Sequence, residues 1–191
     1  MTQIFGKFIE RPEEYGEYLK IGFSPTSMPI QQRWRNNGLS ADFLAAYLCT
    51  FFPGEDGASC ERQAEIKGAV SYIANELLEN AMKFSYAPSQ YAISLAMYLE
   101  ADAISLYVTN SIDPKSLVAF QQCIQRLLTE DPHDLYMEQL TGHAEAENGG
   151  APGLGILTML NDYGATVAWQ FAPMVPEADV MAVTTMVRVP V

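Results

Sequence analysis

Ile73-Ala-Asn-Glu76-Leu77-Leu-Glu-Asn80-Ala-Met-Lys83-Phe84-Ser85 is the stretch on which the reading of this chain turns. It closes a helical pattern over about Arg62–Ser85, in which Ile66, Val70, Ile73, Leu77 and Phe84 recur at helical spacing. At roughly 100° per residue these five side chains cover about 60° of the circumference, a single apolar stripe. Glu76, Asn80 and Lys83 form a second stripe beside it, and Asn80 stands only about 20° from Ile73. A carboxylate, a neutral amide and an ammonium thus meet at the edge of a core. The carboxylate can orient a nucleophile or a metal-bound water, the amide oxygen can ligate a hard cation, and the ammonium can meet a phosphate. Taken alone, the same stripe also describes an amphipathic helix with a solvated polar shoulder.

The segments around this helix set the fold class. Tyr91–Leu99 alternates, with Tyr91, Ile93, Leu95, Met97 and Leu99 on one face, and Ala103–Val108 does the same through Ile104, Leu106 and Val108. Glu100-Ala-Asp102 is short enough to join them as an antiparallel hairpin. Upstream, Leu19–Phe23 reads as a strand, Ser24–Pro29 as a turn and Gln31–Phe52 as a helix ended by Pro53–Gly57. Downstream, Ser116–Leu128 is helical, and the acidic Thr129–Gly150 reads as a mobile loop with one or two helical turns. A helix over Gly153–Asn161 then precedes strands at Thr166–Phe171 and Met181–Val189, with a Pro-rich turn at Pro173–Pro176 between them. This order predicts an α/β (α+β) fold: a two-layer sandwich whose mixed, mostly antiparallel sheet is backed by helices on one face. Residues 1–55 are expected to pack on or extend a core formed by residues 56–191.

Composition narrows the function. The 191 residues are 49% hydrophobic and 18% charged, the balance of a globular chain. The formal net charge is −12, and 11 Lys and Arg are too few to neutralise a phosphate backbone, so neither nucleic acid nor an anionic membrane surface is an expected partner. No apolar run nears the roughly 20 residues that span a bilayer. Met1–Glu10 lacks a basic start followed by a long apolar stretch, which places the protein in the cytoplasm. Cys49, Cys60 and Cys123 form no CxxC pair, and His133 and His143 have no ligand spacing around them.

The second chemical motif is Gly149-Gly150-Ala151-Pro152-Gly153-Leu154-Gly155, which opens a helix. Glycines there let the backbone approach a ligand closely, and the free amides and dipole of the helix start favour a phosphate. No confident parallel βαβ unit surrounds it and the P-loop lysine is missing, so neither a dinucleotide fold nor a P-loop fits. Taken together, Glu76–Ser85 resembles the N-box, and Gly150–Ile156 the second glycine box, of the GHKL superfamily, which includes gyrase, MutL and the histidine kinases. Val183-Thr184-Thr185-Met-Val-Arg-Val-Pro190 is similar to that superfamily's closing strand. The resemblance spans roughly residues 60–191, and the short chain with its long Ser116–Gly149 insert looks most like the anti-sigma-factor and SiaB-like serine kinases and related cyanobacterial regulators.

The resemblance implies a Bergerat-type ATP-binding fold with ATP or ADP and Mg²⁺. Asn80 would ligate the metal, Glu76 would be the catalytic base, and Lys83 would neutralise phosphate charge. Gly150, Gly153, Leu154 and Gly155 would hold phosphates under a lid at residues 116–149, and Thr184 would complete the nucleotide site. One departure stands out. The strand that should end in the adenine-binding Asp followed by two glycines ends here in Val108-Thr109-Asn110-Ser111-Ile112-Asp113. Asn110 takes the Asp position, and Asp113 is the nearest carboxylate. An amide oxygen accepts a hydrogen bond from an adenine amine but carries no charge. Two functions follow from the resemblance: a Ser/Thr protein kinase acting on a small regulatory, STAS-type partner in a partner-switching pathway, or a degenerate module that grips such a partner without phosphoryl transfer. A homodimer is compatible with both.

Overall fold

Ten consecutive residues, Ala103–Ile112, are buried from end to end and form the central strand of a six-stranded sheet. The computed structural model describes residues 1–10, 16–24, 30–52, 57–143, 153–174 and 180–191. Its strands are β1 Gln3–Phe5, β2 Tyr18–Phe23, β3 Ile93–Leu99, β4 Ala103–Ile112, β5 Thr166–Pro173 and β6 Met181–Pro190. They lie in the order β1-β5-β6-β4-β3-β2, and every neighbouring pair is antiparallel. The helices are α1 Ile30–Cys49, α2 Gly57–Phe84, α3 Leu117–Thr129, α4 Pro132–His143 and α5 Leu154–Asp162. The result is the expected two-layer sandwich, with a sheet that is antiparallel throughout its described strands.

Side-chain alternation divides β4 between two environments. Ile104, Leu106, Val108 and Ile112 share the main core with Val70, Ile73, Ala74, Leu77, Leu78 and Ala81 of α2. Tyr107, of the opposite phase, joins a smaller cluster with Ala168 and Met186 on the other face. β6 pairs with β4 over ten positions, from Ala103↔Pro190 to Ile112↔Met181. It alternates likewise, with Val183, Val187 and Val189 toward the helices and Met186 away from them.

Two expectations are corrected. Phe84 does not join the α2 stripe; it is 45% exposed, because the helix outruns the core and Ser85 leaves it to bridge Ile112 at the end of β4. Thr129–Gly150 is not chiefly loop. Asp131 Oδ1 accepts from the backbone N–H of His133 and Asp134, and Pro132 opens α4, so an N-cap followed by proline starts a 12-residue helix. Residues 144–150 lie outside the described residues, as do residues 25–29, 53–56, 175 and 176 of the expected turns. β1, only three residues long, is an additional strand beyond those expected.

β1 and β2 are consecutive in sequence but occupy opposite edges of the sheet. The chain between them meets the outer face, where the Phe8 ring packs edge-on against Tyr107 with centroids 6.0 Å apart. Tyr107 Oη donates to the Ile9 carbonyl at 3.0 Å, and the Ile9 N–H donates to Met186 Sδ at 3.3 Å. Sheet and core therefore draw residues from both sides of position 55.

Tyr107→Phe removes one of these ties while keeping the ring. It should lower stability by about 1 kcal/mol and speed amide exchange at Ile9. Unchanged exchange there would show that the hydroxyl does not hold the segment down.

Candidate functional site

The candidate site lies along α2, which packs against both β4 and α5 on the helical side of the sheet. Glycines make the α2–α5 approach possible. A Cβ on Gly155 would overlap Glu76 Oε2 and stand 2.9 Å from Glu76 Cδ. The Glu76 carboxyl group thus rests against the first turn of α5, in space that any larger residue would fill. Gly153, the N-cap of α5, has φ of 121° and no side-chain cap. That backbone region favours glycine, and a Cβ there would meet Gln139 Nε2 of α4 at 3.2 Å. Farther along the interface, Tyr72 of α2 stacks on Tyr163 with centroids 5.5 Å apart. Tyr72 also engages Thr158 by a side-chain hydrogen bond.

Burial raises the pKa of Glu76, and the charge of Glu79 adds to the shift. Burial likewise raises that of Tyr72, with Glu76 contributing after an opposing hydrogen bond from Thr158. Asn75 Nδ2 donates to Glu79 Oε1 at 2.8 Å, which holds that second carboxylate on the helix surface. A carboxyl group with a raised pKa is a stronger proton acceptor once ionised, the property a general base uses.

Asn80 is half-buried one turn beyond Glu76, between the core residues Leu77 and Ala81. Neither Asn80 nor Glu76 makes a side-chain hydrogen bond among the described residues. Asn110 is 6% exposed and belongs to the helix-facing phase of β4, with Val108 and Ile112. Its Nδ2 donates to the Ser111 carbonyl at 2.8 Å. Because Ser85 bridges Ile112, the end of α2 is pinned to the end of β4. Asn80 and Asn110 therefore approach the same end of the sheet, five and two residues from that bridge.

Other expected site residues are placed differently. Lys83 is exposed, with Nζ 5.3 Å from the centroid of the Phe84 ring. Leu154 is half-buried at the start of α5, and Gly150 lies outside the described residues. Thr184 faces away from the helices, bonded through Oγ1 to Thr109 Oγ1 at 2.9 Å on the outer face. The strand parity that puts Val183 and Val187 in the main core gives Thr185, not Thr184, to the side of Asn110. That residue was legible from the alternation of Val183, Val187 and Val189. Nothing in the sequence marks Gln139, whose place beside Gly153 depends on how α4 folds back. Asp113 accepts from the Lys115 N–H at 2.9 Å, closing the turn after β4.

The expected lid is ordered as a pair of helices over its described part. Ile124 of α3 and Leu135 of α4 are buried. Arg126 binds Glu130 at 2.7 Å and Glu138 at 2.8 Å, linking the two helices. Among the described residues no group of three or more His, Cys, Asp or Glu gathers to hold a metal, and no helix is long and apolar enough to cross a membrane. A Mg²⁺ that keeps several waters and shares its shell with phosphates needs only one or two protein oxygens, a demand that the Asn80 amide oxygen fits.

No family model matches the chain, and no curated protein does. Five chains of solved structures match. One belongs to the crystal structure of the SiaB–SiaC complex from Pseudomonas aeruginosa, at 16% sequence identity and a TM-score of 0.56. That match covers 91% of this chain and 89% of the other. At this identity the two share a fold.

Gly155→Ala separates the packing from the chemistry. Alanine normally stabilises a helix by about 1 kcal/mol over glycine, but here its methyl group must push Glu76 aside. The Glu76 carboxyl should move toward water and its pKa should fall toward the ordinary carboxylate range, measured by carbon-detected NMR titration. An unmoved titration would mean that Glu76 does not rest on α5. Glu76→Gln tests the linkage sign. A raised folded-state pKa favours the protonated form, so the native carboxyl contributes most below its unfolded pKa and loses that contribution as pH rises through the folded value. The variant should melt about 1–3 °C above the wild type at pH 8 and show no advantage at pH 4.

Proposed function

We propose that this chain binds an adenine nucleotide between α2, the glycine turn before α5 and the end of β4, and transfers its γ-phosphoryl group to a Ser or Thr of a small regulatory protein. The observation that carries this reading is the contact of Glu76 with the first turn of α5, which sets a raised-pKa carboxyl beside a glycine-lined helix start. Phosphates would take the free amides of Gly153–Gly155, the place the helix dipole favours for anions. Asn110 Oδ1 would accept from the adenine amine, and Thr185 would line the same side. Asn80 would hold a Mg²⁺, which neutralises phosphate charge when bound. Glu76 would take the proton of the attacking hydroxyl as its oxygen bonds the γ-phosphorus and ADP leaves with the electron pair. A partner of STAS type, as in partner-switching pathways, is supported by the sequence resemblance and by a structural neighbour that was solved in a two-protein complex.

A second reading rests on one residue. Asn110 replaces a charged acceptor with a neutral one, and charge-assisted hydrogen bonds are roughly twice as strong. Under that reading the chain is a degenerate module that grips its partner without turnover.

Calorimetric titration of ATP and ADP with Mg²⁺ decides between a working and a relic pocket. Wild type should bind both, Asn80→Ala should lose the Mg²⁺ dependence, and Asn110→Asp should tighten binding by about 1 kcal/mol. Glu76→Gln should keep affinity and lose transfer to a co-encoded partner by about 10²–10⁴-fold. Nucleotide binding without transfer by any of these proteins would favour the degenerate module. No binding by any of them would refute the nucleotide pocket itself.

A further inference from the structure

α1 is apolar on two sides. Ala41, Leu44, Ala45 and Leu48 are buried in the core, where α1 packs along α2. On the opposite side Leu39 is 61% exposed and Phe43 55% exposed, and Ala46 and Thr50 are exposed between and beyond them. The Phe43 and Tyr47 rings lie 6.5 Å apart, and the Tyr47 and Phe51 rings 5.4 Å apart, so the outer side carries a continuous row of aromatic surface. A helix with one buried face ordinarily turns charged residues to water, and an all-round apolar helix is buried.

The charge pattern selects the occupant. From Asn36 to Phe51 the one charged residue is Asp42, and its carboxylate accepts the Ser71 hydroxyl of α2 at 3.0 Å. The chain as a whole carries a net charge of −12, so most contacts between two copies bring like charges together. The outer face of α1 does not. Two of the exposed apolar residues elsewhere, Leu128 of α3 and Met137 of α4, instead flank the Arg126–Glu130–Glu138 cluster. A neutral face offers a strongly charged partner no complement, whereas it complements itself.

We propose that the outer face of α1 is a self-association surface, on which a second copy of this chain docks through a two-fold axis near Phe43. Leu39, Phe43 and Tyr47 are spaced four residues apart, and such ridges interdigitate at crossing angles of about −50°. A two-fold axis at Phe43 sets the two Phe43 rings together and Leu39 against the partner's Tyr47. A single helix face is smaller than the roughly 800 Å² per partner of a standard interface, so the dimer is weak and concentration-dependent, with Kd on the order of 10 µM. This surface lies across α1 from α2 and does not depend on the nucleotide reading.

Sedimentation velocity on the full chain from about 1 to about 500 µM tests it. Wild type should pass from monomer to dimer across that range. Phe43→Glu should remain monomeric, weakening association at least tenfold, with an unchanged far-UV circular dichroism spectrum. Val118→Glu, an equally exposed apolar site on α3, should dimerise like wild type. A wild type that stays monomeric throughout would overturn the proposal, as would a dimer that survives Phe43→Glu or is lost in Val118→Glu. So would a monomeric wild type that loses a different bound protein on Phe43→Glu, since the occupant would then not be a second copy.

Discussion

Burial of β4 along its whole length is the constraint from which the rest of the structure follows. Its ten residues are buried although four of them, Ser105, Thr109, Asn110 and Ser111, are polar. A buried polar group without a partner costs about 1–3 kcal/mol, so each must find one. Ser105 donates to Glu100, Thr109 meets Thr184 at 2.9 Å, and Ser111 receives the Ser89 hydroxyl at 2.8 Å. Each partner comes from a different segment: the hairpin turn, the neighbouring strand and the exit from α2. The strand can therefore be buried only when those segments are in place. The fourth residue, Asn110, donates to its own backbone neighbour at Ser111 and keeps an acceptor for something else.

The helix layer answers the same constraint from the other side. α2 covers β4 with a stripe of Val70, Ile73 and Leu77, and its far end is tied to the sheet at Ser85↔Ile112. With α2 held, α5 can approach it only through small residues, and Gly155 leaves the space that the Glu76 carboxyl fills. The same packing that builds the core thus raises the pKa of one carboxyl group and brings it to a helix start. Desolvation and closeness to free backbone amides are both products of a single tight contact. Across the sheet, Tyr107 and Met186 secure the N-terminal segment, so the outer face is closed by a tether rather than by a second helical layer.

Much of this was legible in the sequence. Period-two alternation marked β3 and β4 because each strand has one face in the main core, helical spacing marked α1 and α2, and α3, α5, β5 and β6 were placed by their order and bounding turns. The phase of Glu76 and Asn80 against Ile73 and Leu77 placed both at the edge of the core before any contact was known. α4 was misread because its apolar content is low and its signal is local, an aspartate N-cap followed by a proline. The resemblance named Thr184 while strand parity turns Thr185 toward the helices, because a motif match names neighbours on a strand without fixing which of two adjacent residues points inward.

The sequence by itself determined most element types, α4 and β1 excepted, the hairpin between β3 and β4, and the presence of a carboxylate–amide stripe on one helix, because these depend on periodicity and short-range turn chemistry. Only the tertiary structure decided which strands are neighbours, that β1 and β2 close opposite edges, and that Gly155 and Glu76 share one small volume. Those facts depend on contacts between residues far apart in the chain, such as Thr109 with Thr184 and Glu76 with Gly155. Local propensity carries no record of them; they arise when buried polar groups and packed volumes must be satisfied together.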